Sequence, residues 1–258
     1  MMFSFAKIIV FNLFFLFPLV QFAQTSTAKT VNSTTQSGEV LTYKIYYTLA
    51  GIYANTAEVT FSNSLEKLNN KPVYHFVGNG KTYPSYDWFF KVRDVYESFV
   101  DTATMLPYKF IRNVSEGKNK IYHQTIFNQT NNTAISTQKL IKTPASVQDV
   151  LSSIYYARNI DFSKSKINDK IYFNMYLDDV VYPIYLTYLG KEKIKTKYGT
   201  YNTLKFRPKL IEGTIFTGGE KMTVYVTDDQ NKIPVYIETP IIVGTIKVYL
   251  YAAKGLRN

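Results

Sequence analysis

The chain has 258 residues, a formal net charge of +11 and no cysteine, which excludes disulfide staples, a lipid-modified cysteine anchor and a thiol nucleophile. The charge points toward anionic partners, yet only five of the basic residues are Arg (Arg93, Arg112, Arg158, Arg207 and Arg257). Lys is a hydrated point charge and not a planar phosphate clamp, so the excess speaks to solubility and association, and a nucleic-acid partner is not expected.

The N-terminus carries Lys7 as its only charge, followed by an apolar run over residues 8–20 and a small residue at Ala23. That run is shorter than the 18 to 20 apolar residues that cross a bilayer, so residues 1–23 read as a secretory signal peptide cleaved near Gln24. No membrane span is expected after cleavage, and the expected location is the periplasm or the exterior of a bacterial envelope. Residues 24–37, rich in Thr, Ser, Asn and Gln, lack apolar periodicity and are expected to form a flexible tether ahead of a single β-rich domain over 38–258.

From Gly38 onward the dominant period is two. Leu41, Tyr43, Ile45, Tyr47 and Leu49 share one strand face, and Ala50-Gly51 predicts a hairpin into a second strand through Tyr53, Ala57, Val59 and Phe61. Asn69-Asn70 marks the next turn, before a strand at 73–77. Gly78-Asn79-Gly80-Lys81-Thr82 lacks the spacing of a phosphate-binding loop and reads as an ordinary β-turn. Residues 85–90 suggest a short helical turn. Strands are predicted at 95–100, 107–114, 121–128 and 133–139, then at 171–177, 180–189, 201–210, 221–227, 233–239 and 242–251, with Asp178-Asp179 turning between the first two of the later set. One segment departs from this period. Thr143 as cap and Pro144 at the first helical position predict an amphipathic helix over 144–158, burying Val147, Val150, Leu151, Ile154 and Tyr155 and leaving Gln148 exposed. The expected architecture is mainly β: a large curved antiparallel sheet or half-barrel of about twelve strands with that helix packed on or in it.

Catalytic signatures are absent from the sequence. No Gly-x-Ser-x-Gly elbow occurs, and His75 and His123, the only histidines, sit in separate predicted strands without an adjacent acid. No catalytic, metal or cofactor site is therefore assigned. The densest polar cluster includes Arg93, Asp94, Glu97 and Asp101, with Arg93 and Glu97 on one strand face and able to pair. The strand over 180–189 is apolar on both faces, which calls either for a two-sided core or for an apolar cavity.

Four segments together resemble the bacterial envelope family labelled domain of unknown function 3108 (DUF3108). They are Gly38-Glu39-Val40-Leu41-Thr42-Tyr43 with Ala50-Gly51; Val92-Arg93-Asp94 with Glu97-Ser98, Asp101 and Leu106-Pro107; Asp149 to Ser152 with Ala157-Arg158; and Asp228-Asp229 with Ile233-Pro234-Val235 and Val243-Gly244-Thr245. The chain departs from the family pattern at Tyr108-Lys109. The resemblance implies an exported β-rich protein without assigned activity, and singles out Arg93, Asp94, Glu97, Asp101, Arg158 and Asp228 as a polar set of unassigned role. In general look it is similar to half-barrel lipoprotein carriers of the periplasm. The expectation is a binding protein whose apolar concavity takes a lipid, a lipoprotein or another hydrophobic ligand. The rivals are an enzyme acting on envelope glycans or lipids through carboxylates, and a structural subunit.

Overall fold

The computed structural model describes residues 31–137, 139–211 and 219–258. The expected signal peptide, and the first part of the expected tether, lie outside them. Fifteen strands form one sheet: β1 (Val40–Leu49), β2 (Ile52–Leu68), β3 (Lys71–Thr82), β4 (Val92–Asp101), β5 (Pro107–Glu116), β6 (Asn119–Asn128), β7 (Thr133–Ser136), β8 (Leu140–Lys142), β9 (Gln148–Asp149), β10 (Lys170–Leu177), β11 (Val180–Lys195), β12 (Thr200–Pro208), β13 (Thr223–Thr227), β14 (Pro234–Pro240) and β15 (Thr245–Lys254). One helix, α1 (Val150–Arg158), follows β9. The predicted mainly β architecture holds, with fifteen strands in place of about twelve; β7 falls within the predicted 133–139, while β8 and β9, of three and two residues, are too short to show a period.

The spatial order is β8 to β1, then β15 down to β9. Two antiparallel meanders therefore meet where the first strand pairs with the last, Tyr43 opposite Leu250, and only β9 runs parallel to its neighbour, β10. Tight turns carry the meanders. Ala50-Gly51, Asn69-Asn70 and Asp178-Asp179 all have both residues at positive φ, the geometry whose twist matches a two-residue hairpin.

The sheet curls until the end of β10 meets the inner face of β5 and β6. Tyr176 packs edge-on against Phe127, with ring centres 5.3 Å apart, and Arg112 pairs with Asp178. Helix α1 fills the space between the two halves. Tyr155 stacks on Phe76 at 3.6 Å, and Leu151 lies over Gly78, where a Cβ would stand 3.7 Å from the Leu151 Cδ1 and 3.2 Å from Phe61. That contact explains why the expected turn at Gly78-Asn79-Gly80 is instead the interior of β3, since a larger side chain at 78 would compete with the packed helix. The main core joins Phe76, Val100, Phe110, Phe127, Leu151 and Tyr176 across both halves.

The helix starts later than its sequence suggests. Asp149, not Thr143, is the cap: its carboxylate accepts from the Leu151 and Ser152 amides at 2.8 and 2.7 Å, and Ser152 Oγ accepts from the Asp149 amide at 2.9 Å. Gln148 and Asp149 are held extended by pairing with Met175 and Tyr176, so a helix cannot begin at Pro144. Nor is Gln148 exposed; it is fully buried and donates to the Met105 carbonyl. Ser152, Ser153 and Arg158 are buried along with Leu151 and Tyr155, so α1 sits inside the curled sheet and not on its surface.

Residues 31–37 are not a free tether either. Thr34 and Thr35 are fully buried, Asn32 donates to Tyr74 Oη and the Thr35 carbonyl, and Asn63 holds the Gln36 carbonyl. This strap is fixed by hydrogen bonds and not by apolar burial, which is why its composition gave no sign of order.

Candidate functional site

The polar set suggested by the sequence does not converge. On β4, Arg93 turns to Asp87, with Nη2 2.6 Å from Oδ2, while Glu97 accepts from His75 Nε2 at 2.9 Å; the expected Arg93–Glu97 contact is replaced by these two pairs. Asp101 caps the Ala103 and Thr104 amides and accepts from Tyr108 Oη. Arg158 lies at the far end of α1, forked on Glu39, and Asp228 pairs with Lys191 at an exposed turn. These residues staple separate parts of the sheet.

Both histidines do acquire acids from other strands, which sequence adjacency could not show. His75 bridges Glu66 and Glu97 across β2, β3 and β4 and stacks on Phe99 at 4.2 Å; His123 lies 3.5 Å from Asp179. Asp94 faces Glu116 diagonally across β4 and β5, close enough to share a hydrogen bond. Burial raises both carboxyls above their usual range, with the neighbouring Asp94 charge raising Glu116 further and Arg112 opposing both. A pair in direct contact is closer than the roughly 5 to 9.5 Å that separates the two carboxyls of glycosidases.

Two open grooves are present among the described residues. One, of about 670 Å³, crosses β2 to β5 and is lined by Thr60, Ser62, Asn79, Lys81 and Arg93, with Asp94 as its one carboxylate. The other, of about 630 Å³, lies between the β11–β12 hairpin and the sheet. Its floor is a row of tyrosines on consecutive strands. Tyr225 is directly opposite Tyr236, and Tyr236 opposite Tyr249, with stacked rings 5.6 and 4.9 Å apart. Tyr249 meets Tyr46 edge-on at 5.5 Å, and Tyr46 stacks on Tyr53 at 4.8 Å, carrying the row over β13, β14, β15, β1 and β2. Strand alternation sets Tyr236 and Tyr249 opposite Val235 and Leu250 of the inner core, while Tyr225 also packs against that core.

The hairpin forms the groove's wall. Glu192, Lys193, Ile194, Lys195 and Lys197 line it, with Glu192 and Ile194 on the strand face shared with Lys205 and Tyr225, and Lys197 Nζ stands 4.3 and 4.2 Å from the Tyr46 and Tyr53 ring centres. Tyr198 closes the end through a 2.7 Å hydrogen bond to Tyr46. Burial and the hydrogen bond to Tyr249 push the Tyr53 hydroxyl up to about 12, and burial drives Tyr198 and Tyr236 higher still, so these hydroxyls stay neutral. Glu192 is paired with Lys205 at 2.9 Å, so the groove carries three lysines against one already compensated carboxylate. Such a site favours anions. Its signal in the sequence is the alternation of Lys191, Lys193, Lys195 and Lys197 together with the surplus of Tyr; the row itself depends on register between strands distant in sequence.

No curated protein matches this chain. Among solved structures, it is similar to a β-barrel-like protein of domain of unknown function DUF1849 from Brucella abortus, at 8% identity and a TM-score of 0.55, over 86% of this chain and 98% of that one. A protein with a YmcC-like fold from Bacteroides fragilis aligns over 88% of this chain and all of its own at 10% identity, with a TM-score of 0.36. The first likeness supports the curled, barrel-like fold described above. The family described as protein of unknown function DUF3108 matches residues 42–251, and this chain, with its Gly38 to Thr245 segments spread across both meanders, belongs to that family.

Proposed function

We propose that the protein is an exported, non-catalytic binding protein of the bacterial envelope that holds a carboxylate- or phosphate-bearing ligand in the tyrosine–lysine groove. The observation that carries this reading is Lys197 over the Tyr46 and Tyr53 rings at the end of a five-strand tyrosine row, in a groove that Lys193 and Lys195 also line and whose one carboxylate, Glu192, is paired with Lys205. Export is supported by the signal-peptide order of Lys7, the apolar run and Ala23. N-terminal sequencing of the protein from its native cell checks it, and an intact Met1 would remove that part.

The ligand chemistry shifts from the apolar one expected of a concave sheet. The inner face is occupied by α1 and its core partners, and of the two faces of β11 one packs Tyr188 with Phe162 and Phe206, while on the other Tyr185 meets Tyr172 at a tilt, 5.3 Å between ring centres, beneath Lys170. A lipid or lipoprotein would engage this groove through its anionic headgroup. Titration calorimetry of the full chain with polygalacturonate, with soluble short-chain phosphatidylglycerol and with neutral dextran separates glycan from lipid sources. Saturable binding of at least one anion, weakening as salt screens exposed charge, is expected. The variant Lys193→Ala/Lys195→Ala/Lys197→Ala should lose roughly tenfold or more in affinity. Equal binding of dextran, or an unchanged triple variant, removes the reading. The rival carboxylate enzyme rests on the Asp94–Glu116 pair alone.

A further inference from the structure

Four connections emerge at one end of the sheet. Thr48 pairs with Thr245, Ala57 with Thr82, Lys81 with Arg93, and Val92 with Glu116, so the β1–β2, β3–β4, β5–β6 and β14–β15 turns all leave this end, the β1–β2 hairpin reaching five residues past the end of β3. Large apolar side chains project from three of them into solvent: Leu49 and Ile52, then Trp88, Phe89 and Phe90, then Ile242 and Val243. Trp88 is 83% exposed, Phe89 71% and Ile242 68%, an arrangement that costs free energy in water unless something covers it.

The β3–β4 tip is built rigidly. Asp87 accepts from Thr82 Oγ1 at 2.6 Å and from both Arg93 Nη atoms at 3.1 and 2.6 Å, while Arg93 Nη1 also reaches the Thr82 carbonyl. The Trp88 indole N–H is bound within the loop, to the Ser85 carbonyl at 2.9 Å. The ring can therefore leave water without stranding its one polar atom. Phe90 lies against the β5–β6 turn, where a Cβ on Gly117 would be 3.1 Å from its ring, and so joins two of the tips.

The charge around these tips is cationic. Lys81, Lys91, Lys118 and Lys120 are exposed on the same end. Of the acids nearby, Asp87 is paired with Arg93 and Glu58 with Lys44 at 2.6 Å, while Glu116 lies against Asp94 with the Arg112 charge acting on both, which leaves the rim with an excess of Lys. Aromatic tips ringed by uncompensated Lys match an anionic lipid surface, where rings enter the interface and ammonium groups meet headgroups. Among the described residues no helix is long and apolar enough to cross a membrane.

We infer that this rim docks the protein reversibly onto a bilayer rich in anionic lipid, with Trp88, Phe89 and Ile242 entering the interface and Arg93 acting as the positioning residue that holds the wedge. The inference is independent of the groove, because it uses none of the groove's residues. It also differs from attachment by the N-terminus, because the strap before β1 leaves from the opposite end, where Val40 pairs with Lys254.

Trp88 is the only tryptophan in the chain, so intrinsic fluorescence reports on this tip alone. The full chain is mixed with vesicles of phosphatidylcholine alone or with phosphatidylglycerol, each with or without acyl-brominated lipid. A blue shift of Trp88 emission and quenching by the bromines are expected with the anionic vesicles. Lys118→Ala should weaken partitioning about fivefold, and Phe89→Ser on the order of tenfold. Both positions are exposed, and an unchanged thermal midpoint confirms that these variants fold. Arg93→Ala should reduce quenching at saturating lipid. Trp88 emission unaltered by saturating vesicles overturns the inference, whether or not the protein sediments with them, since sedimentation without a Trp88 change places the contact elsewhere. Equal partitioning of Phe89→Ser and the parent overturns it as well.

Discussion

Arg158 and Glu39 face each other inside the protein with their side chains 3% and 0% exposed, forked through contacts of 2.6 and 2.8 Å. The same guanidinium donates to the Thr34 and Asn231 carbonyls, so one side chain at the end of α1 ties the N-terminal strap, the start of β1 and the β13–β14 connection together. Removing one member of such a pair leaves the other charged and dry. Glu39→Ala and Arg158→Ala are each expected to cost roughly 3 to 5 kcal/mol in urea denaturation, whereas Glu39→Leu combined with Arg158→Met should be more stable than either single change. Single variants within about 1 kcal/mol of the parent would contradict this, since that is the range of an exposed pair.

Asp149 gives a pH dependence of opposite sign to that of most carboxylates. Burial pushes its carboxyl up to about 6, against the hydrogen bonds from Ser98, Ser152 and the Leu151 amide that favour the charged form. The folded protein then holds this proton more tightly than the unfolded chain does. Its contribution to stability is present in full below about pH 4 and is lost as pH rises to about 6, a change of about 3 kcal/mol. Asp149→Asn keeps an acceptor for the two helix amides and can accept no charge. Subtracting the variant's stability from the parent's between pH 3.5 and 7 should yield a curve that falls with rising pH; a flat or rising difference would show that the carboxyl is not held neutral.

The helix end separates two kinds of burial. Leu151→Ala removes apolar volume between Gly78 and the core and should cost roughly 2 to 5 kcal/mol. Gln148→Ala leaves the Met105 carbonyl without its donor and should cost roughly 1 to 3 kcal/mol. Lys164→Ala, at an exposed position, should stay within about 0.5 kcal/mol, and thermal unfolding of the three variants orders them. A Gln148→Ala protein as stable as the Lys164 variant would place that side chain outside the core.

Much of the sheet was legible because alternation is local. A strand such as 41–49 writes its two faces in consecutive residues, and Ala50-Gly51 or Asp178-Asp179 supplies the turn, so β1, β2, β10 and β11 follow from short windows. The helix start was misplaced because Thr143-Pro144 and Asp149-Ser152 both carry capping chemistry, and only the pairing of Gln148 and Asp149 with β10 decides between them. The polar set was legible as residues and not as a site: Arg93 and Glu97 share a face, yet each finds a better partner outside β4, in Asp87 and His75.

The sequence by itself determined a β-rich chain without thiol chemistry, a family and an apolar N-terminal run, because composition and short-range period carry those facts. Tertiary structure alone decided the rest. It set the pairing of β1 with β15, which aligns tyrosines from positions 46 to 249 into one row; the closure of the sheet over α1, which fills the concavity expected to hold a ligand; and the exit of four turns at one end of the sheet, which exposes Trp88, Ile52 and Ile242 there. Each depends on register between strands far apart in the chain, and a period of two repeats identically in every register that differs by two residues.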